Sequence, residues 1–115
     1  MTRRFCLALD LKDDPALIAE YRRYHENVWP EVLESLRTSG IVHAEIHQLG
    51  TRMVMVLDVV PEFSFEAKAA SDAANPVVQR WEELMWTYQQ ALPGTPAAEK
   101  WRLMEKIWEF DADAT

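Results

Sequence analysis

One cysteine and three glycines are all that a chain of 115 residues contains of either type. A lone cysteine has no internal partner, so a disulfide framework is excluded and a reducing compartment is expected. Within its apolar run Cys6 reads as a small buried hydrophobe. The scarce glycines leave no Gly-rich loop to cradle a phosphate. No serine sits in a nucleophile elbow, and no cysteine has a placed base. Cofactor chemistry is therefore not expected. Basic residues are also in deficit, with 12 Lys and Arg against 19 Asp and Glu and a net charge of −7. A nucleic-acid partner would require a basic stripe, and Arg22 and Arg23 stand beside carboxylates instead. No run approaches the ~18 apolar residues of a membrane-spanning helix, so no membrane partner is expected. The opening MTRRFCLALDLKDD resembles a signal peptide in its arginines, but Asp10 and Lys12 cut the apolar stretch short. A cytoplasmic location is the expectation.

What is present is an ordinary globular composition, 49% hydrophobic and 27% charged, in a length suited to one domain over residues 1–115. No repeat, low-complexity tract or linker interrupts it. The short apolar run at 4–11 reads as a strand. Asp14 can cap a helix that has Pro15 at its first position, and Leu17, Tyr21, Tyr24 and Val28 carry that helix forward at helical spacing. Pro30 breaks it, disfavours helical geometry at Trp29 and suits the start of a second piece, which Gly40 closes. Residues 41–49 alternate, with Val42, Ala44 and Ile46 on one face and His43, Glu45 and His47 on the other. Gly50-Thr51 turns the chain into a strand at 52–60. A short helix is expected at 63–73. Asn75 and Pro76 then start a helix to about residue 91, followed by a loop at 93–100, a last strand at 103–110 and a frayed tail at 111–115. Strand, helix, strand, strand, helix, strand is the order of an α+β, ferredoxin-like split βαβ fold with an antiparallel sheet. Helices cover one face of such a sheet, and this chain has no spare element for the other. A second copy is the economical cover, so a homodimer is expected.

Three constellations could carry chemistry. Tyr21 and His25 lie four apart, on one helix face and ~5–6 Å apart at Cβ. Imidazole exchanges protons near neutrality, and a phenol can hold a hydroxyl while its ring packs. Trp29 adds an indole at the helix break, where it needs something to pack on. The second is the strand face His43-Glu45-His47, which suits solvent, a polar cavity or, least of all, a metal, since no second pair at ligand spacing supports one. The third is NPVVQRWEELMWTYQQ. Trp81, Met85 and Tyr88 form one stripe there, with Glu82 and Trp86 beside it. Such a stripe is more often core than binding site, yet an aromatic pocket with a few polar groups fits a small polyol.

The pattern Tyr21-x-x-x-His25, then Trp29-Pro30-Glu31, then Gln79-Arg80-Trp81 after a later helix start, resembles the L-rhamnose mutarotase family, which includes L-fucose mutarotases of the same fold. The resemblance covers nearly the whole chain in length and element order. It implies a dimeric α/β barrel with two sheets facing each other. It also implies cofactor-free interconversion of the α and β anomers of a 6-deoxy-L-sugar. His25 matches the family's proton donor, and Tyr21 and Trp81 match its substrate contacts. Ala44 stands where rhamnose mutarotases usually have a tyrosine, and Trp81-Glu82 where they often have two tryptophans. FSFEAKAASD followed by VVQRWEELMW looks more like the fucose-type members, which favours L-fucose over L-rhamnose.

Mutarotation requires an acid on the ring oxygen and a base on the anomeric hydroxyl. His25 is the expected acid, and the base is Glu45, His47 or a water. Trp29 and Trp86 are expected beside Tyr21 and Trp81 as walls for a monosaccharide. Two other readings use the same elements: a dimeric barrel that binds a small molecule without catalysis, and a cofactor-free oxygenase of the same barrel superfamily. The second would want an apolar cavity, against which the polar strand face argues.

Overall fold

In the computed structural model, which describes residues 1–96 and 99–113, strand β1 (Arg3–Leu11) leads into helices α1 (Pro15–Tyr24) and α2 (Pro30–Thr38). The hairpin β2 (Ile41–Leu49) and β3 (Arg52–Val59) follows, then α3 (Phe65–Ala73) and α4 (Pro76–Trp86), and the short strands β4 (Gln89–Gln90) and β5 (Arg102–Leu103). The sheet runs β2-β3-β1-β4 with every pair antiparallel, and β5 pairs β1 as well. The chain is thus α+β with an antiparallel sheet and the expected element order. Of the loop expected at 93–100, residues 97 and 98 lie outside the described residues, as do the last two of the tail.

Local chemistry explains where the helices begin. The Asp14 carboxylate accepts from the amides of Ala16 and Leu17, and Pro15, which has no amide hydrogen to lose, opens α1. Asn75 does the same for α4 through Val77 and Val78. Ser64 caps α3 by accepting from Ala67 at 3.1 Å. The expected first helix ran on to Val28, but α1 ends at Tyr24. The amides of His25, Glu26 and Asn27 turn to carbonyls three residues back, so the last turn tightens. The last of the long helices stops at Trp86 rather than near 91. Its chain is needed in the sheet, where Gln89 and Gln90 pair Leu11 and Asp10.

The sheet has two unlike faces. Leu7, Leu9 and Leu11 of β1 and Met53, Leu57 and Val59 of β3 turn towards the helices and are buried, each contributing ~1.5–3 kcal/mol by burial. The intervening residues face away. There Arg4 grips Asp58 through two hydrogen bonds, 2.8 and 3.1 Å, and Arg52 pairs Asp10. This open face is polar, with half-buried Cys6, Val54 and Val56 between the ion pairs.

The expected strand at 103–110 is corrected. Only Arg102 and Leu103 pair with β1, at Ala8 and Leu7. After Met104 donates to Cys6 O the described residues form no further ladder. Residues 104–110 carry an apolar pattern suited to a strand, but a strand needs an adjoining edge, and no described segment lies beside them. Ile107, Trp108 and Phe110 are 91%, 78% and 71% exposed.

Gly40 closes α2 at φ +95°, and its carbonyl accepts from Val60 N at 2.9 Å, which sets the entry of β2 beside the end of β3. A Cβ there would meet Val60 Cγ2 at 2.7 Å in a conformation that L side chains rarely adopt. Gly40→Ala is therefore expected to destabilise the chain by ~1–3 kcal/mol in urea unfolding. A variant as stable as the parent would refute this account of the turn.

Candidate functional site

His25 occupies the cap position of α1, and the tightened turn gives it its orientation. In a continuing helix its own amide would take the carbonyl of Tyr21. Here that amide bonds Arg22 O at 3.2 Å, so Tyr21 O is free, and the imidazole Nδ1 lies 2.9 Å from it. A carbonyl can only accept, so Nδ1 carries the proton. Nε2 is then the nitrogen left to exchange one, as acceptor in the neutral ring and donor in the imidazolium.

Around this half-buried ring stands an aromatic wall. Tyr21 lies with its ring centroid 4.5 Å from that of His25, and Trp81 lies at 5.6 Å, edge to face. Trp29 meets Trp81 at 5.1 Å and Tyr24 meets it at 6.3 Å, both edge-on. Edge-to-face pairs are favoured by the ring quadrupoles and add ~0.5–1.5 kcal/mol each to what burial supplies. Beneath the wall, Gln89 of β4 donates from Nε2 to the Tyr21 hydroxyl at 3.3 Å.

Four of the residues expected to form a site thus gather: Tyr21, His25, Trp29 and Trp81. The others do not join them. Trp86 faces outward, under Lys100, whose Nζ is 5.1 Å from the ring centroid, and it lines an open groove with Lys12 and Gln90. Glu45 and His47 pair Val56 and Val54, so they share the open face of the sheet, opposite the helices and on the edge strand farthest from β4. Strand alternation decides this: the core claims Leu57 and Met53 of β3, and His43, Glu45 and His47 must then point away. Within one protomer, Glu45 and His47, expected as candidates for the base, therefore lie on the other face of the sheet from His25. His43 and His47 bracket Glu45 at 3.8 and 3.7 Å in a solvent-facing row. Among the described residues no three His, Cys, Asp or Glu side chains form a group that could hold a metal ion.

Sequence reasoning missed the residues on the other side of Trp81. A cavity of about 220 Å³ opens there between α2, α3 and α4, lined by Trp81, Trp101, Met85, Lys68, Asp72 and Gln89 among others. Lys68 and Asp72 stand at i and i+4 in the alanine-rich α3, a signal that was available. Gln89 lies on a two-residue strand and gave none.

A family model described as L-rhamnose mutarotase matches residues 4–110. An L-fucose mutarotase of Xanthomonas campestris pv. campestris is 49% identical over 108 residues, covering 92% of this chain and 86% of its own. An L-rhamnose mutarotase of Rhizobium johnstonii is 32% identical over 88 residues, 76% of this chain and 77% of its own. Among solved structures, an L-rhamnose mutarotase of Formosa agariphila superposes with a TM-score of 0.69 at 18% identity, over 95% of this chain and 99% of that one. The tetracenomycin F2 cyclase of Streptomyces glaucescens gives 0.61 at 13%, over 96% and 98%. At such identities the structural likenesses speak for the fold alone.

The tyrosines beneath the site make the fold sensitive to alkali. Burial pushes the Tyr88 phenol up to about 12, with the Glu20 carboxylate adding to it, and burial raises Tyr21 against the opposing hydrogen bond from Gln89. Below pH ~10 neither phenol ionises in either state, so neither contributes a pH dependence. As pH rises from about 10 to about 12 the unfolded chain gives up protons that the folded chain retains, so stability falls. Thermal melting across that interval should show the decline, shallower in Tyr88→Phe. An equally steep decline in the variant would contradict the assignment to Tyr88.

Proposed function

The chain belongs to the L-rhamnose mutarotase family, and from that premise we propose that it interconverts the α and β anomers of a 6-deoxy-L-hexose, with L-fucose as the favoured sugar. The 49% identity to a relative named L-fucose mutarotase, against 32% for one named L-rhamnose mutarotase, supports that order. The observation that carries the chemistry is the His25 imidazole, with Nδ1 committed to Tyr21 O and Nε2 left for proton exchange.

The reaction opens and recloses a ring. As the imidazolium, His25 gives its Nε2 proton to the ring oxygen while the C1–O5 bond breaks. A water takes the proton of the anomeric hydroxyl. Water is favoured as base because Glu45 and His47 lie across the sheet from His25. The open aldehyde turns about C1–C2, and the steps reverse on its other face, returning the proton to His25. One positioned proton-transfer group contributes ~10²–10⁴ in rate, enough for a reaction already facile in water. Trp81 and Trp29 supply apolar faces on which the C–H surface of a sugar stacks, and Tyr21 supplies a hydroxyl held by Gln89.

The active form is a homodimer. The polar open face of the sheet has no cover among the described residues, and the outward apolar residues of 104–110 supply further surface for a second copy. The sheets of the two copies then face each other as a barrel.

Saturation-transfer NMR on the anomeric protons of L-fucose and L-rhamnose tests the chemistry. The enzyme should accelerate exchange, L-fucose more than L-rhamnose. Folded His25→Ala should lose ~10²-fold or more, whereas Glu45→Gln and His47→Asn should remain active. Full activity in folded His25→Ala would end this reading. Light scattering tests the assembly: the full chain should run as a dimer and a chain ending at Leu103 as a monomer. A monomeric full chain would overturn the dimer.

A further inference from the structure

The cavity between α2, α3 and α4 has a composition that core packing does not call for. Its walls are largely apolar, from Trp81, Trp101, Met85 and Leu36, but besides Glu82 and Lys100 they include a close ion pair. Lys68 Nζ lies 2.8 Å from Asp72 Oδ2, and the Ser35 hydroxyl donates to Asp72 Oδ1 at 2.7 Å. The two charged side chains are only 18% and 13% exposed. Removing such a pair from water costs several kcal/mol per ion by general estimates, and apolar side chains of similar size would usually hold the helices together as well or better. The pair also keeps unused capacity. An ammonium has three donors, and Asp72 occupies one; each carboxylate oxygen has accepted one hydrogen bond and can accept another. Spare donors and acceptors side by side fit a hydroxyl, or two vicinal hydroxyls, which accept from the amine and donate to the carboxylate.

Two residues join this cavity to the wall that holds His25. Trp81 lines the cavity and meets the His25 ring at 5.6 Å. Gln89 lines the cavity and donates to the Tyr21 hydroxyl. The cavity is smaller than the ~300–1,000 Å³ typical of drug-sized ligands and suits one pyranose ring. A 6-deoxyhexose is itself two-sided, with a methyl group and a C–H face for the apolar wall and a hydroxyl edge for the pair.

We propose that this cavity seats the hydroxyl edge of the sugar remote from C1, and that Lys68, set by Asp72, is the residue that selects among 6-deoxyhexoses by the configuration of those hydroxyls. The assignment rests on the mutarotase reading above, with C1 and the ring oxygen directed towards Trp81 and His25. L-Fucose and L-rhamnose differ in configuration at C2 and C4, so a group that reads the hydroxyl edge discriminates between them.

The test is anomeric exchange measured by NMR against sugar concentration for wild type, Lys68→Met and Lys68→Arg, with melting recorded for each. Lys68→Met should raise KM for L-fucose about tenfold, the usual scale for one lost hydrogen bond to a charged group, with kcat much less affected. Its preference for L-fucose over L-rhamnose should shrink, and Lys68→Arg should recover part of it. A merely structural role would lower the melting temperature and leave the sugar preference in place. A second measurement uses the unaltered enzyme: L-fucose should protect Lys68 from acylation by an amine-directed reagent, followed by mass spectrometry. Folded, active Lys68→Met with unchanged KM and preference, or acylation of Lys68 unaffected by saturating L-fucose, overturns this proposal and leaves the mutarotase reading intact. Failure of wild type to accelerate either sugar overturns both.

Discussion

Pro30 is the constraint on which the arrangement around His25 depends. Its ring forces the residue before it out of helical geometry, and Trp29 accordingly sits at φ −57°, ψ 137°. Between Tyr24 and Trp29 the chain leaves the α-helix. It tightens into bonds three residues back, and the Tyr21 carbonyl is released from the main-chain ladder. That carbonyl accepts a hydrogen bond from His25 Nδ1, which fixes both the tautomer and the ring. The same residue brings the Trp29 indole onto Trp81, so the aromatic wall begins where the helix breaks.

The two faces of the sheet divide the labour of the fold. The helix face is apolar at β1 and β3 and carries Tyr21, Trp81 and Tyr88 above it in one cluster. The open face holds the ion pairs Arg4–Asp58 and Arg52–Asp10, with a His-Glu-His row on the edge strand. Surface ion pairs of this kind contribute ~0–1 kcal/mol, so they set the character of the face more than its stability. A polar yet uncovered sheet face, with an apolar segment projecting from the β1 side, is the surface on which the dimer reading rests.

Trp81 links packing to chemistry. It is buried, belongs to the main core cluster and touches Trp29, Tyr24 and His25. It is also a wall of the cavity that contains Lys68 and Asp72. One side chain therefore transmits the position of α4 both to the proton-transfer group and to the cavity with its ion pair. A residue of this kind reads as core and as site at once, and here both descriptions hold.

The sequence by itself determined whatever depends on neighbours along the chain. The caps at Asp14 and Asn75, the break at Pro30, the turn at Gly50 and the alternation of β2 are local, and so were legible, as was the Tyr21-His25 pair at helical spacing. Element order then implied the split βαβ topology. The fate of 103–110 was not legible, because an apolar alternation makes a strand only where an edge is available, and Gln89–Gln90 and Arg102–Leu103 share the edge of β1. Nor was it legible that Glu45 and His47 would face away from His25, since alternation gives two faces but only the packing of β3 against the helices says which is inner. The meeting of Lys68, Asp72 and Ser35 with Trp81 and Trp101 was likewise decided by tertiary structure alone. Those residues come from three helices and the approach to β5, and no spacing along the chain encodes the gap that the packed helices leave between them.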